Sequence, residues 1–397
     1  MTVALERQAA GRRRVVVTTL GLHQILSWGS SFYLLSVLGA PIAADTGWPL
    51  AAVAAGLSVA LLAAGLISPL VGRVIQRHGG RPVLAAGSVL LALGLALLAV
   101  APAFPVYIAA WTIIGLGMGA GLYDPVFSTL GSLYGQGARR LITAVTLFGG
   151  FASTVSWPMT ALLLENLGWR GACVVYALLN IGFGLPACLL LLPKTPEPAP
   201  AAGGGAPPIG LVTPELPAAR QRVALLLLGA SLTIGAATLS MHLLTLLQAR
   251  GVDLAAAVLL GTLVGPAQVG ARVVEMAFGR HYHPVWTMLI GVVLVALGVV
   301  LLWTGWPVAA AALIAYGAGN GISSIVRGTV PLVLFGADGF AVLMGRLGLP
   351  ILLAMALAPA AGAVLLDYGG GALTFGVMSA MSLINIALVL MLLRWCR

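Results

Sequence analysis

Gly117-Met118-Gly119-Ala120-Gly121 runs on to Asp124-Pro125, and Gly317-Ala318-Gly319-Asn320-Gly321 runs on to Ser324 and Arg327. Each stretch sits inside a long apolar run, and its glycines recur at 117, 119 and 121 against 317, 319 and 321. Self-similarity at a fixed offset marks an internal repeat. A Gly-x-Gly-x-Gly run invites a phosphate-loop reading, but no strand precedes it and the flanks are apolar, so close helix packing accounts for it better. Each copy carries one charge in an apolar setting, Asp124 in the first and Arg327 in the second. Aligned on the glycines at this offset, Asp124 falls opposite Ser324 and Arg327 opposite Phe127.

Composition bounds what such a chain is. Of 397 residues, 60% are hydrophobic and 8% charged, where a soluble domain carries about 25% charged residues. So few charges cannot cover a water-facing surface, so most of the surface must face lipid. A net charge of +10 then reflects arginine placed in loops rather than a nucleic-acid partner. Cys173, Cys188 and Cys396 show neither pairing nor metal-ligand spacing, so no disulfide framework and no metal site is implied. Arg12, Arg13 and Arg14 precede an apolar run that continues to Pro41 without an obvious cleavage site, which reads as an uncleaved first span.

Twelve apolar spans are expected, each long enough to cross about 30 Å of hydrocarbon: 16–39, 50–72, 82–101, 105–130, 141–163, 171–192, 223–248, 255–277, 285–304, 307–331, 341–362 and 372–393. They are numbered 1 to 12 below. Between spans 6 and 7, Pro193-Lys194-Thr195-Pro196-Glu197-Pro198 leads into Gly203-Gly204-Gly205, a composition that builds no core and reads as an extended linker. The expected organisation is an all-α membrane protein of two pseudo-symmetric six-helix bundles, 1–192 and 223–397, joined by a cytoplasmic linker over 193–222. With the N-terminus inside, 18 of the 20 basic residues fall on the cytoplasmic side or just within it, and only Arg170 and Arg250 fall outside. That asymmetry places both termini in the cytoplasm.

Polarity is concentrated in every third span. Span 1 carries His23, Ser27, Ser30 and Ser31; span 4 carries Gly117, Gly121, Asp124 and Ser128. Span 7 carries Ser231, Gly235, Thr238, His242 and Thr245; span 10 carries Tyr316, Asn320, Ser323, Ser324 and Arg327. Each set follows helical spacing and so forms one stripe. A polar stripe in lipid must face protein or a water-filled cavity, and four evenly spaced stripes imply one central pathway. Pro158 in span 5 and Pro359 in span 11 are expected to kink their helices. No paired intramembrane His/Glu motif and no Ser/His couple stands at a working spacing, which argues against an intramembrane enzyme.

The loop after span 2 carries a family resemblance. Gly72-Arg73-Val74-Ile75-Gln76-Arg77-His78-Gly79-Gly80-Arg81-Pro82 resembles the major facilitator superfamily motif, with Gly72, Arg77, Gly79 and Arg81 matching. Gln76 stands where the family has an acidic residue that helps latch the cytoplasmic side, so that latch is missing or built otherwise. In span 4, Gly115, Gly117 and Pro125 fit the family pattern, while Trp111 occupies the position of an arginine associated with proton coupling. Gly265-Pro266-Ala267-Gln268 followed by Arg272 looks like the helix 8 arginine of monocarboxylate and oxalate:formate transporters. The resemblance extends over the whole chain and implies a secondary transporter working by alternating access in a bacterial-type inner membrane.

The resemblance nominates Arg272, and the polar stripes and the repeat nominate the other candidates. Arg272 would bind a substrate carboxylate through its planar fork, although a snorkelling arginine paired with Glu275, one turn on, is the plainer reading. His23, Trp28, Ser31, His242, Tyr316 and Asn320 are further substrate-contact candidates. Asp124 and Arg327, with Glu275, are candidates for gating or coupling. The expected partners are a small organic anion, a proton or counter-substrate, and the bilayer. No cofactor is expected, and the chain is expected to be a monomer. Efflux of a toxic or drug-like compound, metalloids included, is the alternative.

Overall fold

The computed structural model describes residues 2–194, 218–240, 254–304 and 309–395, and every regular element among them is helical. Each expected span falls on helix, because only a helix satisfies its own backbone groups inside hydrocarbon. Spans 2, 3, 9 and 10 are Leu50–His78, Gly80–Ala99, Pro284–Thr304 and Ala309–Phe335. Span 7 is Ala218–Ser240 as far as the described residues reach, and span 8 is Leu254–Gly261 followed by Val264–Phe278. Spans 11 and 12 form one run, Phe340–Trp395, turned at Gly370. Spans 5 and 6 are turned in the same way at Gly168. Both glycines have left-handed φ, 68° and 63°, which a side chain would strain. Outward-facing side chains such as Leu66, Leu190 and Leu226 are about 70% exposed or more, as lipid contact requires.

Several spans are not single helices. Span 1 is Thr2–Gly29 and then Leu34–Thr46, span 4 is Phe104–Gly121 and then Tyr123–Tyr134, and span 5 is Ala138–Gly150 and then continues from Ala152. Pro158 and Pro359 both lie inside continuous helix, so the interruption in span 5 is at Phe151 instead. Span 6 leaves α geometry in two π segments, Asn180–Gly184 and Ala187–Leu191.

The chain divides into two compact units, one of Met1–Glu197 with Gly339–Leu349, the other of Pro198–Asp338 with Pro350–Arg397. In the first, span 4 is pressed between spans 2 and 3. A Cβ on Gly115 would meet the Ala60 backbone and one on Gly119 the Ala64 backbone, while one on Gly117 would lie 2.8 Å from the Leu91 nitrogen. In the second, span 10 is pressed between spans 8 and 9. A Cβ on Gly317 would lie 2.7 Å from the Val264 carbonyl and one on Gly321 would strike that of Gln268; one on Gly319 would lie 2.7 Å from that of Gly291. Val295, Val299, Leu313, Tyr316, Phe375 and Met378 fill the core beside it.

These contacts correct the register of the repeat. Gly115 and Gly119 face the second span of their unit, and so do Gly317 and Gly321. Gly117 faces the third, and so does Gly319. Between spans 4 and 10 the equivalence is therefore 202 residues, not 200. Two more features agree. Gly94 of span 3 packs on Ala110 and Ile114 and Gly298 of span 9 on Ala312 and Tyr316, span 4 and span 10 residues again 202 apart although the two glycines themselves are 204 apart; the turning glycines are 168 and 370. A Gly-x-Gly-x-Gly run matches itself after a slip of two, yet two residues of helix turn the contact face by about 200°. In the corrected register Arg327 stands where Pro125 does, and Asp124 is equivalent to Val326.

At the edge of the first unit, outside the spans, the Arg170 guanidinium and the Trp169 indole both donate to Asp45 Oδ2, the latter at 3.1 Å. Arg170 also lies 4.1 Å over the Trp169 ring. The Arg170 bond first, and the Trp169 bond second, hold the Asp45 carboxyl below the usual carboxylate range.

Candidate functional site

In the first unit the site begins with a missing donor. Pro125 has no N–H, so the Gly121 carbonyl loses the partner an unbroken helix would give it. Leu122 is extended there (φ −82°, ψ −157°). Gln24 of span 1 supplies the replacement, its Nε2 donating to the Gly121 oxygen at 2.7 Å. Its Oε1 accepts from Trp28 Nε1 at 3.1 Å, so the amide that closes the break in span 4 also aims the Trp28 indole.

The other two breaks lie close by. Gly29 of span 1 is so near span 5 that a Cβ on it would lie 2.6 Å from the Ser156 Cβ, and the Tyr123 hydroxyl lies against Gly149. Trp28 packs on Tyr123 at 5.1 Å and on Phe32 at 5.3 Å between ring centroids, and Tyr33 meets Trp157 at 6.0 Å. Trp157 is 46% exposed. Where spans 1, 4 and 5 lose regular helix, the unit thus presents a cluster of aromatic rings. Tyr33, Tyr123 and Trp157 were not among the sequence candidates; a proline at 125 within an apolar run is the signal that leads to them.

Beneath the rings lies a fully buried polar cluster. His23 Nε2 is 3.1 Å from Ser88 Oγ on span 3, and Ser27 Oγ is 3.4 Å from His23 Nδ1. The Ser31 hydroxyl bonds its own helix at the Ser27 carbonyl, 2.5 Å away. Asn180, in the first π segment of span 6, donates to Ser30 Oγ at 3.1 Å and to the Tyr176 carbonyl at 2.9 Å. Its Oδ1 has no hydrogen-bond partner among the described residues. His23 and Ser31 are 0% exposed, so they face the interior of the unit. Trp111, at the position of the family's arginine, is likewise fully buried, against Gly56 of span 2.

In the second unit Arg272 is 5% exposed. Its Nε donates to the Gly321 carbonyl at 3.2 Å and to Ser324 Oγ at 3.1 Å, and Ser324 itself bonds that carbonyl at 2.7 Å. The glycine that lets span 8 approach span 10 also supplies the acceptor that orients the guanidinium. Glu275 accepts from Thr287 of span 9 at 3.1 Å. Tyr316 is buried against Gly298, while Asn320 and Arg327 are half-buried. His242 lies outside the described residues.

Asp124 is 8% exposed and stands in the first turn of Tyr123–Tyr134, where the positive end of a helix favours a carboxylate. A Cβ on Gly348 would lie 2.9 Å from its Oδ2. The loop motif behaves differently from the family pattern. Gly79 ends span 2 with φ 78°, and Gln76 and Arg77 are exposed while Arg81 is half-buried. A Cβ on Gly72 would strike the Ala341 carbonyl and lie 3.1 Å from Gly345 Cα, and one on Gly345 would lie 2.5 Å from the Ser68 carbonyl. Glycine backbone at Gly72 and Gly345 lets span 2 and residues 339–349 approach closely, and Ala341 packs with Val71 and Ile75 beside it.

Apolar helices of spanning length, turned at single glycines and carrying buried polar clusters, define a multi-pass membrane protein. The sequence profile of the Major Facilitator Superfamily matches residues 20–283, more than half of the chain, and the chain belongs to that family of transporters. It is 33% identical to monocarboxylate transporter 11 of Homo sapiens over 153 residues, 38% of this chain and 30% of that protein. With monocarboxylate transporter 13 of Bos taurus it shares 29% over 240 residues, 57% of this chain and 54% of that one. The chain thus spans about half, or less, of the curated relatives it matches. Among solved structures, the human organic anion transporter MFSD10 (TETRAN) superposes with a TM-score of 0.72 at 19% identity, covering 95% of this chain and 99% of that one. The proton:xylose symporter XylE gives 0.71 at 14% identity, covering 95% of each. These likenesses establish the fold.

Proposed function

We propose that this transporter carries a small organic anion across a bacterial-type inner membrane by alternating access, with Arg272 as the residue that holds the carboxylate. The observation that carries this reading is a buried guanidinium held through Nε by two acceptors of span 10. A cation is expensive at membrane depth and is retained where it has work to do. The similarity to monocarboxylate transporters supports the substrate class.

Counterflow of labelled lactate or pyruvate into liposomes holding the purified protein tests it. Arg272→Lys keeps the charge but loses the Nε donor and the planar fork, and is expected to lower transport at least about tenfold, the 1.4 kcal/mol of one charge-assisted hydrogen bond. Unchanged apparent affinity in both Arg272→Lys and Arg272→Ala overturns the assignment. His23 is the side chain of the buried cluster able to carry a coupled proton; His23→Gln is expected to abolish the pH dependence of uptake while leaving exchange intact. Asp124 and Arg327 are assigned to gating, and Asp124→Asn and Arg327→Gln are each expected to lower the rate of counterflow.

A second reading, export of a ring-bearing toxic compound, draws on the half-buried rings of Trp28 and Tyr33 beside the exposed Trp157. Competition of lactate counterflow by an aromatic carboxylate against an aromatic amine separates the two. Orientation is tested by thiol labelling of intact cells, where a cysteine at Pro200 is expected to stay unlabelled and one at Asp253 to react.

A further inference from the structure

A groove of about 360 Å³ runs between spans 1 and 6 of the first unit, lined by Arg14, Val15, Thr18, Leu22, Phe183 and Leu191 among others. Asn180 bonds Ser30, and Leu26 packs at Gly184, so the two helices run antiparallel and the groove follows their shared cytoplasmic half. From Arg14 to Leu22 is about 12 Å of helix rise, most of the roughly 15 Å depth of one leaflet's hydrocarbon. Val15, Leu22, Phe183 and Leu191 are between 39% and 49% exposed, so they form open apolar walls.

Two features set this groove apart from ordinary lipid-facing surface. Its far wall is the stretch where span 6 leaves α geometry, in the π segments Asn180–Gly184 and Ala187–Leu191; π bulges recur at functional positions. And one end carries a cation. Arg13 is turned to the Tyr134 ring, 5.7 Å from its centroid, while Arg14 lines the groove. Lys194 follows Leu191 by three residues. A long apolar trough closed at the interface by a guanidinium has the polarity of one molecule class, an anionic amphiphile with its charge at the end of its chain.

We infer that this groove binds an anionic glycerophospholipid of the cytoplasmic leaflet, with its phosphate on Arg14 and one acyl chain against Val15, Leu22, Phe183 and Leu191. Guanidinium and phosphate pair by charge-assisted hydrogen bonds, and the apolar walls replace chain–chain contacts of the bilayer. A zwitterionic lipid brings a compensating ammonium and loses the advantage. The bound lipid ties the first helix to the last of its unit across a wall that lacks regular helix.

Native mass spectrometry of the purified full chain, titrated with phosphatidylglycerol or phosphatidylcholine, tests this. The wild type is expected to hold one phosphatidylglycerol at least about fivefold more tightly than any phosphatidylcholine. Arg14→Gln is expected to erase that preference, and Arg12→Gln, outside the groove, to keep it. Thr18→Trp, which fills the trough but leaves Arg14, is expected to lose the tight lipid too. Equal retention of the two lipids by the wild type, or a preference that survives Arg14→Gln, overturns the proposal. So does a preference that survives Thr18→Trp, which would reduce the site to surface charge. Thermal unfolding with the same lipids gives an independent reading, since a ligand of the folded state raises its apparent stability.

Discussion

Span 4 and span 10 are the same helix built twice, and they differ where the repeat puts Pro125 against Arg327. Both are packed through glycines onto the second and third spans of their unit. Both receive a hydrogen bond from a neighbouring helix on a glycine carbonyl, Gly121 from Gln24 and Gly321 from Arg272. Span 4 nevertheless breaks at Leu122, and span 10 runs unbroken from Ala309 to Phe335, Pro331 included. At Pro125 the first unit's packing helix becomes the rim of an aromatic cluster; at the equivalent place the second unit keeps the helix and carries a charge. The comparison teaches that the scaffold is shared and the chemistry is not. The first unit offers rings and neutral polar groups, the second a guanidinium.

Arg327→Pro would place the missing donor in span 10, where no counterpart of Gln24 has been found among the described residues. The expected loss is about 3 kcal/mol or more, measured by thermal or denaturant unfolding of purified protein. A near-neutral result would mean that proline alone does not explain the break in span 4.

Gly321→Val is expected to cost about 1–3 kcal/mol by overpacking, because the added carbon meets the Gln268 carbonyl. The obstacle is main chain, so no side-chain change at 268 should rescue it. Gly265→Ala, with open space around the glycine, is the control and is expected to be neutral or slightly stabilising.

The bond that closes the break is tested by a double-mutant cycle. Gln24→Leu leaves the Gly121 carbonyl unpaired and should cost about 1–3 kcal/mol. In a Pro125→Ala background residue 125 regains its N–H, and the same change should cost less than half as much. Additive effects would show that Gln24 is not standing in for that donor.

The smallest effect concerns the clasp of Asp45 with Arg170. Asp45 has a lowered pKa in the folded state, so its contribution is present above the unfolded carboxylate value and lost as pH falls through the folded one. Both side chains are about half exposed, so the effect should be slight and screened by salt. Melting temperature followed from pH 7 to pH 3 should fall less in Asp45→Asn than in the wild type.

How much of this the sequence discloses depends on the kind of signal. The spans are legible because a run of about twenty apolar residues has few alternative readings, and the Gly72–Arg81 loop motif already resembles the family. The register of the repeat was missed by two, since alternate glycines match themselves after such a slip and only contacts show which face each one turns. The breaks in spans 1, 4 and 5 leave no mark in the polar side-chain pattern; for span 4 the trace is a backbone group that Pro125 lacks. Asn180 is a lone polar residue in an apolar run, which leaves no periodic trace. Tyr316 and His23 fit a stripe by spacing, but packing against Gly298 and Ser88 turned them inward.

Gln24 has a further consequence, for how the chain is made. Its partner carbonyl lies 97 residues downstream, and the partner of Asn180 lies 150 residues upstream. At about 5–20 residues per second of synthesis, span 1 waits on the order of 5–20 s for span 4, and longer for span 6. During that interval its histidine, glutamine and serines face either lipid, where an unsatisfied polar group costs several kcal/mol, or the insertion apparatus. Span 1 is among the helices least able to rest in the bilayer alone, so the half-made chain depends on a temporary host until its own later spans arrive.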